Sequence, residues 1–192
     1  MTDRAACCQQ DEHERWMFLY RNPLRQLVWR TGPFFRCHLG RGDVAADLGC
    51  SAGFFTFAMA DVVGTQGTVH AIDPYPKAIR SVEATARRRG YTNVRPHTGS
   101  AANQKWIADG SLDFVMANLV LCCMVDHDGA INEIRRTLKP TGIAYLSVAR
   151  NPGSGSATGV DGREWRAILR GFSVRWQRRT LLERKVLVSL PA

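Results

Sequence analysis

The sequence predicts an open α/β fold: a mostly parallel sheet of seven strands, with helices on both faces and a C-terminal antiparallel strand pair. Three observations carry that expectation. From Asp43 to Ala149, short apolar runs alternate with stretches of helical spacing, and such βαβ alternation buries parallel strands between helices. Two consecutive apolar runs end on Gly49 and on Asp73, residue types that suit the loop end of a strand. Finally, Phe172 to Trp176 and Val186 to Leu190 are β-rich and follow one another without a helix between, as an antiparallel pair does.

Each element follows from local pattern. Residues 1 to 10 read as loose. Asp11 to Tyr20 and Leu24 to Arg30 space apolar and charged residues as helices do, broken by Asn22-Pro23 and then by Gly32-Pro33, so two or three short helices precede the first strand. Their aromatic residues Trp16, Phe18, Tyr20, Trp29, Phe34 and Phe35 are expected to pack into a core, a lid being the other use. From Asp43 an apolar strand runs into a turn with an acid and two glycines, then into a helix over Phe54 to Val62. Gly67 to Asp73 is the second strand, and Pro76 to Arg89 a helix that Gly90 stops. Val94 to Thr98 and Leu112 to Ala117 are the third and fourth strands. A helix over Gly129 to Leu138 ends before Pro140, and Ile143 to Ala149 is the fifth strand. Asn151 to Ser156 is a Gly/Ser loop too short to link domains. A helix over Gly162 to Arg170 leads to the closing pair, with Arg178 to Arg184 as turn and strand edge.

Length and composition bound the function. A chain of 192 residues, 45% hydrophobic and 22% charged, suits one globular domain. The longest nearly apolar run, Phe114 to Val125, falls well short of the ~20 residues that cross a bilayer, so no membrane partner is expected. The N-terminus has acids and no apolar run before Trp16, which leaves the cytoplasm as the expected compartment. Six cysteines, Cys7, Cys8, Cys37, Cys50, Cys122 and Cys123, show no C-x-x-C spacing; free thiols are expected, and no structural zinc or other metal site. The net charge is +9, but 22 of the 26 basic residues are arginine, and Arg163 to Ala192 carries eight bases against two acids. A solvated basic face accounts for this, with a nucleic-acid footprint as the rival reading.

The chemistry concentrates in Asp47-Leu48-Gly49-Cys50-Ser51-Ala52-Gly53. Glycine tolerates positive φ and lets a ligand approach the main chain, while the helix that follows presents unpaired N–H groups. In an open α/β sheet ligands bind beyond the carboxyl ends of the strands, so Gly49 and Asp73 face one crevice. A carboxylate at Asp73 can accept from two ribose hydroxyls, which points to a nucleoside derivative. The closely spaced glycines of a dinucleotide fingerprint are missing, and Asp47 repels phosphate but attracts a cationic amine. A pyrophosphate ligand is disfavoured.

Together with His70-Ala71-Ile72-Asp73, Leu112-Asp113-Phe114-Val115 and Leu138-Lys139-Pro140-Thr141-Gly142, that turn resembles the ordered motifs of class I S-adenosylmethionine-dependent methyltransferases, over about Gly42 to Ala149. The resemblance implies a Rossmann-like fold with residues 41–192 as the cofactor-binding domain and residues 1–40 as a helical cap of that same domain. It implies that Asp47, Gly49 and Gly53 hold the methionine portion of S-adenosylmethionine and Asp73 the ribose, with Cys50 and Ser51 of the same turn also at the cofactor. Pro74 or Tyr75 then packs on adenine, Ser100 and Ala101 stand at its amino side, and Asn118 and Leu119 lie beside the transferred methyl group. Ser51 departs from the commonest turn, which has glycine there, and Ser100 from an acid. The chain lacks the Asn-Pro-Pro-aromatic motif after the fourth strand, which disfavours amino-group methylation of adenine or glutamine by that route.

The expected activity is methyl transfer to a small, partly apolar acceptor. An RNA methyltransferase using the basic C-terminal segment and a non-catalytic binding module are the rivals. Cys122 and Cys123 read first as small core residues. Alternatively they line the acceptor pocket, where with Cys50 and with Cys7-Cys8 of the N-terminus they could meet a soft metalloid, as in arsenite methyltransferases. Asp126 and His127 are candidate bases, although Asp126 or Asp128 also suits a helix cap. His13, His38, His70 and His97 carry no assigned chemistry.

Overall fold

The computed structural model describes residues 31–149, 160–181 and 183–191. Its elements are α1 (Thr31–Arg36), β1 (Val44–Leu48), α2 (Phe54–Val63), β2 (Thr68–Asp73), α3 (Pro76–Arg89), β3 (Val94–Thr98), β4 (Leu112–Asn118), a 3₁₀ turn (Leu121–Cys123), α4 (His127–Thr137), β5 (Leu138–Ala149), α5 (Gly162–Ile168), β6 (Ser173–Arg179) and β7 (Glu183–Ser189). The seven strands form one sheet in the order β3-β2-β1-β4-β5-β7-β6. Neighbours from β3 to β5 run parallel, and β7 pairs antiparallel with both β5 and β6. The predicted mostly parallel sheet with its antiparallel closing pair is therefore present. Strand order reverses at β1, between β2 and β4, which opens a crevice at their carboxyl ends.

Alternating strand residues feed two cores. Ala46, Leu48, Val115, Ala117 and Leu146 pack towards Ile131 and Ile134 of α4 and Trp165 and Ile168 of α5. On the other face Ala45, Phe114, Met116 and Tyr145 pack with Phe35 of α1, Phe57 and Met59 of α2, and Ile79 and Val82 of α3. Small residues at Ala45 and Ala46, both fully buried, let helices approach β1 from either side.

Three boundaries differ from expectation. Gly32-Pro33 lies inside α1 instead of breaking the chain, because a proline in the first helical turn gives up an N–H that has no partner there anyway. Helix α4 starts at His127, two residues early, since the Asp126 carboxylate caps it by accepting from the Gly129 N–H at 2.8 Å. Strand β5 starts at Leu138 and contains Pro140; the register jumps from Leu112↔Leu138 to Phe114↔Ile143, leaving residues 139–142 as a bulge where proline needs no ladder bond. Lys139 Nζ pins that bulge by donating to both Asp113 oxygens at 2.8 Å, and Asp113 also accepts from the Val44 N–H at 2.9 Å. The expected helices over Asp11 to Tyr20 and Leu24 to Arg30, Cys7 and Cys8, and the loop Asn151 to Ser156 lie outside the described residues. Among the described residues no helix is long and apolar enough to cross a membrane.

Candidate cofactor-binding site

Parallel pairing sets the ends of β1 and β2 side by side, and the N–H groups of Gly49 and Cys50 both donate to the Ile72 carbonyl, at 2.7 and 3.0 Å. Within the turn Gly49, Ser51 and Gly53 have φ of 67°, 50° and 85°. Neighbours as well as backbone require the two glycines. A Cβ on Gly49 would stand 2.7 Å from Val120, and one on Gly53 2.6 Å from the Phe57 ring. Ser51 holds a left-handed conformation that costs a non-glycine residue roughly 1 kcal/mol. Its hydroxyl is buried with no hydrogen-bond partner among the described residues, which fits a turn shaped to receive a polar ligand group.

Two buried acids flank this turn. Asp47 is 2% exposed and accepts from the Thr56 hydroxyl at 2.6 Å. Burial pushes its carboxyl up to about 7, opposed by the bonds from Thr56 and assisted by the charge of Asp73. Asp73, 1% exposed, accepts from the Ser51 N–H at 2.9 Å and from the Tyr75 N–H at 2.9 Å. It thereby ties the two turns together. A crevice walled by two carboxylates suits a cation and hydroxyl donors and rejects phosphate.

At the end of β4, Asn118 accepts from the Ser147 hydroxyl at 3.0 Å, and the Leu119 N–H donates to that hydroxyl at 3.0 Å. Leu119 has φ 58°; with Ser51 it completes the non-glycine residues of positive φ among those described, and both stand at strand ends facing the crevice region. The Cys122 and Cys123 thiols each donate to the Leu119 carbonyl at 3.4 Å, and Cys122 Sγ accepts from the Ala149 N–H at 3.5 Å. The hydrogen bond from Cys123 is the main influence that lowers the Cys122 thiol to about 7; burial opposes it, and the Ala149 N–H and the charge of His127 assist. Cys123 is exposed, which corrects the reading of both as core residues. Cys50 is buried, and burial pushes its thiol well up.

The remaining candidates take other positions. His127 bonds through Nδ1 to Glu164 of α5, and its Nε2 is buried without a partner among the described residues. Asp126 is spent on the α4 cap. Tyr75 is the residue before α3, beside the exposed Pro74. The Ser100 hydroxyl accepts from the Ala102 N–H at 3.1 Å within its own loop, and Ala101 lies in the core with Ile107. Pairing of β2 with β3 brings His70 Nδ1 within 3.0 Å of His97 Nε2, and His97 stacks on Trp106, whose ring covers Gly99. No sequence spacing announced this pair or the hold of Thr56 on Asp47.

Behind the turn lies a cavity of about 500 Å³, lined by Phe34, Phe55, Met116, Tyr145, Trp176 and Leu187, with Arg178 and Lys185 among its polar walls. Of its walls, Phe55 is the second residue of α2 and Met116 stands two before Asn118 in β4. Lys185 is paired with Glu183 at 2.6 Å.

The profile of a family described as "Methyltransferase domain" matches residues 39–164. A demethylmenaquinone methyltransferase of Geobacillus stearothermophilus is 31% identical over 128 residues, covering 67% of this chain and 54% of that protein. An arsenite methyltransferase of Aquipseudomonas alcaligenes is 28% identical over 156 residues, covering 74% of this chain and 44% of that protein. The chain thus spans about half the length of the curated relatives it matches. Among solved structures, a SAM-dependent methyltransferase from Aquifex aeolicus shares the fold with TM-score 0.78 at 18% identity, over 92% of this chain and 98% of that one. By this match over most of its length, and by the fold and turn it encloses, the chain belongs to the class I S-adenosylmethionine-dependent methyltransferase family.

Proposed function

We propose that this chain transfers a methyl group from S-adenosylmethionine to a small, partly apolar acceptor. The observation that carries the reading is the acidic, glycine-built crevice at the ends of β1 and β2; an aromatic cavity of about 500 Å³, lined in part by Phe55 of α2 and Met116 of β4, supports an apolar acceptor. Bound in the crevice, the cofactor supplies an activated methyl group on a sulfonium, so the protein aligns more than it activates. Asp47, held by Thr56, attracts the cationic methionine end, and the unpartnered Ser51 hydroxyl offers it a hydrogen bond. Asp73 accepts from ribose, Pro74 and Tyr75 border adenine, and Asn118 and Leu119 border the reacting methyl. The aromatic walls exclude water from the acceptor. Where an acceptor proton must leave, Cys122 beside Leu119, lowered to about 7, is the candidate to take it.

Relatives named for demethylmenaquinone make apolar quinols the first acceptors to screen with labelled methyl donor. Label in an apolar aromatic product is the expected result. If neither S-adenosylmethionine nor S-adenosylhomocysteine binds in calorimetry, the enzyme reading falls and a partner-binding module remains. Asp73→Asn should weaken the cofactor with the fold retained by circular dichroism; unchanged affinity would mean the ribose is misassigned. A second reading, a thiophilic acceptor such as arsenite, is favoured by the vicinal thiols Cys122 and Cys123 on one carbonyl. It requires arsenite turnover that Cys122→Ser and Cys123→Ser abolish.

A further inference from the structure

Strand β6 is unusual for an edge strand, because all seven of its residues are exposed, so neither of its faces is covered. It nevertheless carries Val174 and Trp176, exposed 45% and 43%, and the turn into β7 presents Leu181, exposed 88%. Among the described residues these are three of five exposed large hydrophobic side chains; they flank one free edge from both sides, since Val174 pairs with Val188 and, past a bulge, Trp176 with Leu187, which lie on opposite faces. The same strand bears Arg175, Arg178 and Arg179, which form no ion pair among the described residues. We propose that the β6–β7 hairpin docks on an anionic lipid bilayer, with Leu181, Val174 and Trp176 entering the interface and the three arginines meeting lipid headgroups.

Charge and chemistry select this occupant. A second copy pairing β6 edge to edge would bring two sets of three arginines together, and like charges opposed across a ladder are destabilising. Phosphates of RNA would satisfy the arginines, but Val174 and the turn-tip Leu181 offer nothing to a nucleic acid. Aliphatic and tryptophan side chains flanked by cations match the boundary between acyl chains and anionic headgroups. The cavity strengthens the case, because Trp176 and Arg178 are at once residues of the exposed hairpin and of its lining. An apolar molecule dissolved in lipid then reaches Met116 without crossing water. That delivery rests on the proposed function, whereas the docking rests on the hairpin alone.

The test is co-sedimentation of the full chain with vesicles of phosphatidylcholine, or of phosphatidylcholine with about a third phosphatidylglycerol. Binding at least about tenfold tighter to the anionic vesicles is expected, with the difference lost near ~0.5 M salt. The double variants Val174→Ser/Leu181→Ser and Arg175→Glu/Arg179→Glu, which leave the cavity lining alone, should each lose about tenfold in vesicle binding. Equal or absent binding of the unaltered chain to the two vesicles overturns the proposal. So does salt-sensitive capture of single-stranded RNA without vesicle binding, which would assign the face to nucleic acid. Calorimetry with S-adenosylmethionine on the same preparations keeps a failure of docking separate from a failure of the methyltransferase reading.

Discussion

Asp47 is the residue on which the chemistry of the crevice turns. Its carboxyl, ordinarily near 3.8, is raised to about 7 by burial, so between those values the folded chain keeps a proton that the unfolded chain releases. The stability this contributes is full below the unfolded value and is lost as pH rises towards 7. A bound cation reverses the preference. Binding of S-adenosylmethionine at about pH 6 should therefore release up to about one proton, read by calorimetry in buffers of differing ionisation enthalpy. Asp47→Asn should release none; equal release from both would remove Asp47 from the site. Cys122 makes a separate prediction. Alkylation followed by peptide mass spectrometry should show Cys122 reacting with a midpoint at about 7, moving upwards in Cys123→Ala, while Cys50 stays unlabelled in the native fold.

At the scale of elements, the turn from β1 into α2 holds a conflict at Ser51. A left-handed φ and a buried, unpartnered hydroxyl both work against the fold of the free chain. Glycine there removes both costs and adds some unfolded-chain entropy, so Ser51→Gly should stabilise the free protein by about 1 kcal/mol. For a domain of this size that raises Tm by about 2–4 °C in a thermal melt. Cofactor affinity should fall in the same variant, because the hydroxyl offered to the ligand is gone. A gain in stability with unchanged affinity would mark Ser51 as mere strain. Gly49 and Gly53 have no such latitude, hemmed in as they are by Val120 and Phe57.

Over the whole molecule, histidines on two strands and in the turn after α1 oppose Asp47. Burial lowers His70 to about 4, assisted by His97 and Arg95, and burial also lowers His97 and His38. Facing His70 and His97 are each other's rings, Trp106 and Arg95, none of which offers a negative charge. A base held below its unfolded value contributes stability that is complete above about 6.5 and disappears as pH falls through the folded value. These histidines remove stability as pH drops below about 6.5 while Asp47 adds it, so in Asp47→Asn the histidine contribution stands alone and Tm should fall as pH drops from about 6.5 to 5. His70→Asn should flatten that acid limb; an unchanged limb would locate the sensitivity elsewhere.

The seven strands, the glycine turn and the two acids at strand ends were legible in the sequence, because periodicity, chain punctuation and glycine content are local properties. From them followed the family and the expectation of a cationic nucleoside ligand. Partners across the sheet were not legible, since register and packing are settled by contacts between residues far apart in the chain. Hence His70 meets His97 unannounced, Cys123 emerges at the surface instead of joining the core, and Asp73 ties two turns besides facing the crevice. The cavity, assembled from α1, α2, β4, β5, β6 and β7, exists only where those elements converge, the exposed hairpin lending it Trp176 and Arg178. The sequence by itself determined the chemistry of the turn Asp47 to Gly53. Tertiary structure decided what crowds it, which groups lose their solvent, and where an acceptor has room, because burial belongs to the packed molecule and to no single stretch of chain.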